Sequence, residues 1–163
     1  MKHTISILVE NHAGVLSRIS GLFSRRGFNI DSLAVGITDD PTVSRITVVA
    51  DGDDYTIEQI EKQLNKLIDV IKLRRLSPTS TISRELMLIK VECTPKTRGD
   101  IIDIAQVMQA KVCDISNTTM TIEVSDTSER IEIISELLKP YNILEVVRTG
   151  TIALEKGVSK ITV

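Results

Sequence analysis

Hydrophobic positions change period along the chain in a fixed order. Ile5, Ile7 and Val9 alternate with Thr4, Ser6 and Leu8, the period of a strand buried mainly on one face. The turn Glu10-Asn11-His12-Ala13-Gly14 ends it, and Val15, Leu16, Ile19, Leu22 and Phe23 follow at helical spacing. Arg25-Arg26-Gly27 closes this helix, because cations suit its negative end and glycine suits a left-handed cap. Leu33, Val35 and Ile37 alternate again, Thr38-Asp39-Asp40-Pro41 turns the chain, and Ile46, Val48 and Ala50 give a third strand. After Asp51-Gly52-Asp53-Asp54, the residues Ile57, Ile60, Leu64, Leu67 and Ile68 form a second amphipathic helix with Glu58, Glu61, Lys62 and Lys66 on its wet side. A fourth strand runs from about Val70 to Leu76. Strand, helix, strand, strand, helix, strand is the βαββαβ, or ferredoxin-like, plan: an antiparallel sheet with both helices on one face.

The polar stretch 77–83 reads as a linker, and the same order then repeats about 80 residues on. Leu86 to Cys93 is an apolar strand, and Thr94-Pro95-Lys96-Thr97-Arg98-Gly99 a loop. Ile101, Ile104, Ala105 and Met108 share a helical face. Val112–Ile115 and Met120–Val124 are strands, Ile131, Ile134, Leu137 and Leu138 a helix ended by Pro140, and Ile143–Arg148 a closing strand. The expectation is an α+β protein of two tandem ferredoxin-like domains, residues 1–76 and 84–163, joined by the linker.

Composition narrows the functions this fold can serve. The formal charge is −2, so no global positive field gathers nucleic acid or anionic lipid. Only two Phe, two Tyr and no Trp leave too few rings for base stacking. No run of about 20 apolar residues could span a bilayer. The N-terminus enters a strand pattern directly, which reads as a cytoplasmic protein without a targeting segment. Cys93 and Cys113 have neither metal-knuckle nor redox spacing and read as buried thiols.

No catalytic set emerges. His3 and His12 flank one strand without a nucleophile partner, and His12 reads as a solvent-facing turn residue. Asp51, Asp53 and Asp54 lack the rest of a calcium loop and suit a helix start. No phosphate loop or dinucleotide fingerprint occurs, and no metal site is expected. The turn Asn11-His12-Ala13-Gly14 before the helix at Val15 stands out. A helix N-terminus offers unpaired N–H groups and partial positive charge to a carboxylate. Gly14 allows close backbone approach, Asn11 supplies donors and an acceptor, and Val15 and Leu16 add apolar walls. The residues alone fit either a small amino-acid site or simply a tight, capped turn.

The segment Leu8 to Leu33, with Glu10-Asn11-His12-Ala13-Gly14-Val15-Leu16-Ser17-Arg18-Ile19 at its heart, resembles the opening of the regulatory (small) subunit of acetolactate synthase, also called acetohydroxyacid synthase. Asp40-Pro41-Thr42-Val43-Ser44-Arg45, Arg84-Glu85-Leu86-Met87-Leu88 and Arg148-Thr149-Gly150-Thr151-Ile152 extend the resemblance over nearly the whole chain. It implies an N-terminal ACT domain followed by a second ferredoxin-like domain. It implies a non-catalytic subunit that binds valine or another branched-chain amino acid, activates the thiamine-diphosphate-dependent large subunit, and confers feedback inhibition on branched-chain amino-acid biosynthesis. Thiamine diphosphate, magnesium and FAD then belong to the catalytic partner, with no cofactor in this chain. The effector site implied is at an ACT homodimer interface, with Asn11, His12, Ala13, Gly14, Val15 and Leu16 on one side and Asn29 and Ile30 on the other. Ala13 stands where the family commonly has Pro, and Asp31 where it often has Glu. The rival expectations are a free-standing amino-acid-sensing ACT protein with a different client, and a small enzyme on the same fold.

Overall fold

The computed structural model describes residues 1–163 and divides into two compact units, Met1–Ile82 with Thr151–Val163, and Ser83–Gly150. The first unit runs β1 (Lys2–Glu10), α1 (Val15–Arg26), β2 (Ile30–Ile37), β3 (Val43–Asp51), α2 (Asp54–Leu64) and β4 (Val70–Leu76). Its sheet order is β2-β3-β1-β4, antiparallel throughout. The two-residue period sets the register: Ile5 faces Val48 and Ile7 faces Ile46, so one face of β1 and β3 is apolar. That face, with Val9 and Ala50, buries Val15, Ile19, Leu22 and Phe23 of α1 and Ile57, Ile60 and Leu64 of α2. Truncating such a side chain, as in Ile46→Ala, costs about 2–5 kcal/mol because the cavity closes only in part.

The helix ends follow local chemistry. Gly27 caps α1 at φ +69°, and the Gly27 and Phe28 N–H groups donate to the Ser24 and Phe23 carbonyls at 3.2 and 3.0 Å. Phe28 then meets Phe23 edge to face, ring centroids 6.4 Å apart. Asp53 caps α2, its carboxylate accepting from the Thr56 N–H at 2.8 Å.

The opposite face of this sheet is also covered. Ser6, Leu8, Val43, Thr47, Val49 and Leu76 point away from the helices, yet all are buried. Their cover is the C-terminal segment: Ile161 packs on Leu8 and Val43. Arg45 Nη2 donates to the Ile161 carbonyl at 3.1 Å, Lys72 Nζ to the Thr162 carbonyl at 3.0 Å, and Arg74 pairs with Glu155 at 2.6 Å. The Thr151 N–H donates to Ser32 Oγ at 2.8 Å. The sequence pattern carries the second domain through residue 163, whereas the structure groups Thr151–Val163 with the first unit. An apolar strip on a sheet whose helices are all on the other side needs a cover, and this segment supplies it.

Pro78–Ser80 forms a single 3-10 turn, held by the Ser80 N–H and Thr81 hydroxyl donating to the Ser77 carbonyl, and strand begins at Thr81.

Next come β5 (Thr81–Glu92), α3 (Arg98–Val107), β6 (Lys111–Ile115), β7 (Thr119–Asp126), α4 (Ser128–Leu138) and β8 (Ile143–Arg148). The sheet order β6-β7-β5-β8 repeats that of the first unit, and β9 (Ile152–Glu155) pairs with β5. Met87, Ile89, Val91, Met120, Ile122 and Val124 pack on Ile101, Ala105, Ile131, Ile134 and Leu138. Cys93 is buried in this core. Cys113, expected to be buried, is exposed, as is every residue of edge strand β6; the register there slips between Val112 and Asp114, leaving Cys113 as the extra residue of a bulge.

Candidate functional site

The turn between β1 and α1 is tied down from two sides. The Asn11 N–H donates to the Thr42 carbonyl and Asn11 Nδ2 to the Pro41 carbonyl, each at 2.8 Å, so Asn11 joins this turn to the β2–β3 turn. Its Oδ1 is left as an acceptor. On the other side, the Glu10 N–H donates to the Asp69 carbonyl at 3.0 Å. The Asp69 carboxylate is buried and takes Arg18 Nε at 2.6 Å and His12 Nε2 at 3.1 Å. His12 Nε2 also lies 3.1 Å from Glu10, and its Nδ1 3.2 Å from the Ala13 carbonyl. Both ring nitrogens therefore face acceptors. The Ala13 carbonyl first, then Glu10 and Asp69, raise the His12 pKa above its ordinary 6.5.

Gly14 directly precedes α1 with φ +90° and ψ −14°. No side chain caps α1, and its first turn holds no acid. Its first N–H groups thus keep their partial positive charge without an internal partner. A Cβ at Gly14 would find only the end of Arg18, at 3.5 Å, so conformation rather than space calls for glycine. The corresponding loop of the second unit is closed on itself. There Thr94 and Thr97 bond each other through hydroxyl and backbone, and Thr97 has an ordinary negative φ.

The predicted site residues separate into groups. Asn11, His12, Ala13 and Gly14 form one exposed turn with half-exposed Leu16 beside it. Val15, expected as a wall, is instead buried in the core under α1, because the helical stripe that includes Ile19 and Leu22 begins with it. Asn29 and Ile30 follow the far end of α1, and a helix of 12 residues sets the two ends about 18 Å apart. Asn29 Nδ2 donates to Asp31 at 2.9 Å, and Ile30 packs against the core. One protomer therefore does not bring them to Gly14. Sequence reasoning missed Arg18 and Asp69. Asp69 had a signal, a carboxylate between Ile68 and Val70 in an apolar stretch. Glu10, His12 and Asp69 offer ligand atoms within 4.8 Å of one another, the only such grouping, but Asp69 already answers Arg18 and His12.

Two ferredoxin-like units in tandem, the first with an uncapped helix N-terminus beside an asparagine, have the architecture of an ACT-type protein. Residues 5–72 match the family model described as AHAS small subunit-like ACT domain, and residues 84–157 that of the small subunit of acetolactate synthase. The chain belongs to the acetolactate synthase small-subunit family. It is 48% identical over 155 residues to the acetolactate synthase small subunit of Mycolicibacterium smegmatis, covering 95% of this chain and 91% of that one. It is 45% identical over 160 residues to a protein of Archaeoglobus fulgidus named "Probable acetolactate synthase small subunit", covering 98% and 100%. The crystal structure of the acetolactate synthase small subunit from Thermotoga maritima superposes with a TM-score of 0.90 at 35% identity, over 98% of this chain and 99% of that one. No helix here is long and apolar enough to cross a membrane.

Proposed function

We propose that this chain is a non-catalytic regulatory subunit: it activates the thiamine-diphosphate-dependent catalytic subunit of acetolactate synthase and makes it sensitive to valine. The observation that carries the reading is the uncapped start of α1 behind Gly14, with Asn11 Oδ1 alongside. The helix N–H groups suit the carboxylate of an amino acid, Asn11 Oδ1 its ammonium, and Leu16 its branched side chain. Thiamine diphosphate, magnesium and FAD are assigned to the partner, and the complex to the cytoplasm.

A homodimer completes the site on this reading. β2 is an edge strand with exposed Val35 and Ile37 and unpaired backbone groups. Antiparallel pairing of two β2 strands about their middles sets the start of one against the end of the other. Asn29 and Ile30 of one protomer then approach the β2–β3 turn of its partner, the turn to which that protomer's Asn11 is bonded. This topology supports a shared ligand between two chains.

Adding the chain to purified catalytic subunit should raise turnover, and valine should lower it again. The shift requires valine to bind the activating and non-activating conformations unequally. Valine binding without any effect on the catalytic subunit would favour the free-standing sensor with another client. Turnover by the chain alone would favour the enzyme reading.

A further inference from the structure

The outer face of the first sheet and the C-terminal segment enclose a cavity of about 250 Å³ that the amino-acid site does not use. Its lining includes Ser6, Arg45, Leu76, Ala153, Glu155 and Ile161. Ser6 is among the lining residues and is 1% exposed, and its Oγ is buried with no hydrogen-bond partner. A buried hydroxyl left unpaired is costly, and native interiors rarely tolerate one without a ligand or water to answer it. Arg45, opposite Leu8 in the register, spends one of its five donors on the Ile161 carbonyl and has no carboxylate within ion-pair distance. The one acid of the lining, Glu155, is neutralised by Arg74 at 2.6 Å. Lys160 adds a further cation at the rim.

We infer that this cavity binds a small organic carboxylate. The guanidinium fork of Arg45 matches a carboxylate in shape and charge, and the Ser6 hydroxyl can donate to the same group. Leu76, Ala153 and Ile161 suit a short aliphatic body. The volume lies just below the range of pockets for drug-sized ligands, roughly 300–1,000 Å³, and fits a metabolite of a few carbons. An α-ammonium group is disfavoured, since the excess charge around the cavity is already positive. The site is therefore distinct in chemistry from the turn before α1.

The test uses the full-length chain labelled with nitrogen-15 and butanoate as the probe, with inorganic phosphate and valine in separate titrations. Butanoate should give saturable shifts at the amides of Ser6, Arg45, Ala153 and Ile161. Ser6→Ala, which keeps the Arg45 bond to Ile161, should weaken binding about tenfold, and Arg45→Gln by more. The Ser6→Ala spectrum without probe should match the parent away from the substitution. Absence of saturable shifts into the millimolar range would overturn the proposal, leaving Ser6 to an ordered water. Equal response to phosphate would overturn it in favour of a general positive patch. Saturable shifts of the same amides by valine would refute a site separate from the amino-acid turn.

Discussion

Gly14 holds a backbone angle that L side chains avoid at a cost of about 1–2 kcal/mol. Gly14→Ala and Gly14→Asp share that strain but differ in charge, so the pair separates conformation from ligand competition. Both should lose about 1–2 kcal/mol in denaturant unfolding. Only the aspartate, placed over the α1 N–H groups, should abolish the valine response, while alanine weakens it. His12 makes a second prediction at this scale. Its folded pKa is raised, so its contribution to stability is fully present below 6.5, the ordinary value, and is lost as pH rises through the folded value. An NMR titration of the imidazole should show a midpoint above 6.5. In Glu10→Gln the midpoint should fall, since a charged acceptor is replaced by a neutral one. A midpoint at or below 6.5 in the parent would contradict the bonded geometry.

At the scale of elements, local patterns were readable wherever partner and period lie close in sequence. The start of α1 at Val15, its Gly27 cap and the acids heading α2 are set within a turn or two, and the structure has each in place. What depends on distant strands was not readable. Cys113 looked buried by its apolar surroundings in sequence, yet it lies on an edge strand exposed along its whole length. Val15 looked like a ligand wall by position, yet the helix rotates it into the core. Nothing local in residues 151–163 reveals the short strand at Ile152–Glu155 or that this segment closes over the first sheet. The site was half readable for the same reason: Asn11 to Gly14 are contiguous, whereas Asp69 and Arg18 meet only through the fold. The second unit has its own long-range clamp. Arg148, on β8, reaches Glu85 on β5 at 2.6 Å and Glu132 on α4 at 2.6 Å, and Ser128 bonds Glu85 at 3.0 Å. These acids hold the Arg148 pKa above its ordinary value, with Glu85 the largest cause. Because Glu85 is 5% exposed, Arg148→Ala should cost about 2–3 kcal/mol. Adding Glu85→Gln should cost less than the sum of the two singles, a coupling that thermal or urea unfolding of the four proteins reads directly.

At the scale of the whole molecule, the first unit is a sheet covered on both faces, by helices on one and by the chain's last residues on the other. Ending the chain after Gly150 should uncover Leu8, Val43 and Leu76, each at most 5% exposed with the segment in place. The shortened chain should melt at lower temperature and bind a hydrophobic dye more strongly while keeping its far-ultraviolet spectrum. An unchanged melting temperature would show that the segment covers nothing of energetic weight. The second feature at this scale is the edge at β2, where two chains would build one effector site from Gly14 of one and Asn29 of the other. Calorimetric titration of valine into mixed dimers, one chain carrying Gly14→Asp and the other Asn29→Ala, tests that arrangement most directly. Each homodimer should bind valine poorly, the Asn29→Ala one weakened roughly tenfold to a hundredfold. The mixed dimer concentrates both changes in one site and leaves the other intact, so it should recover parental affinity at half the parental stoichiometry. Mixed dimers as impaired as the homodimers, or homodimers that bind as the parent does, would contradict a shared site at the start of α1.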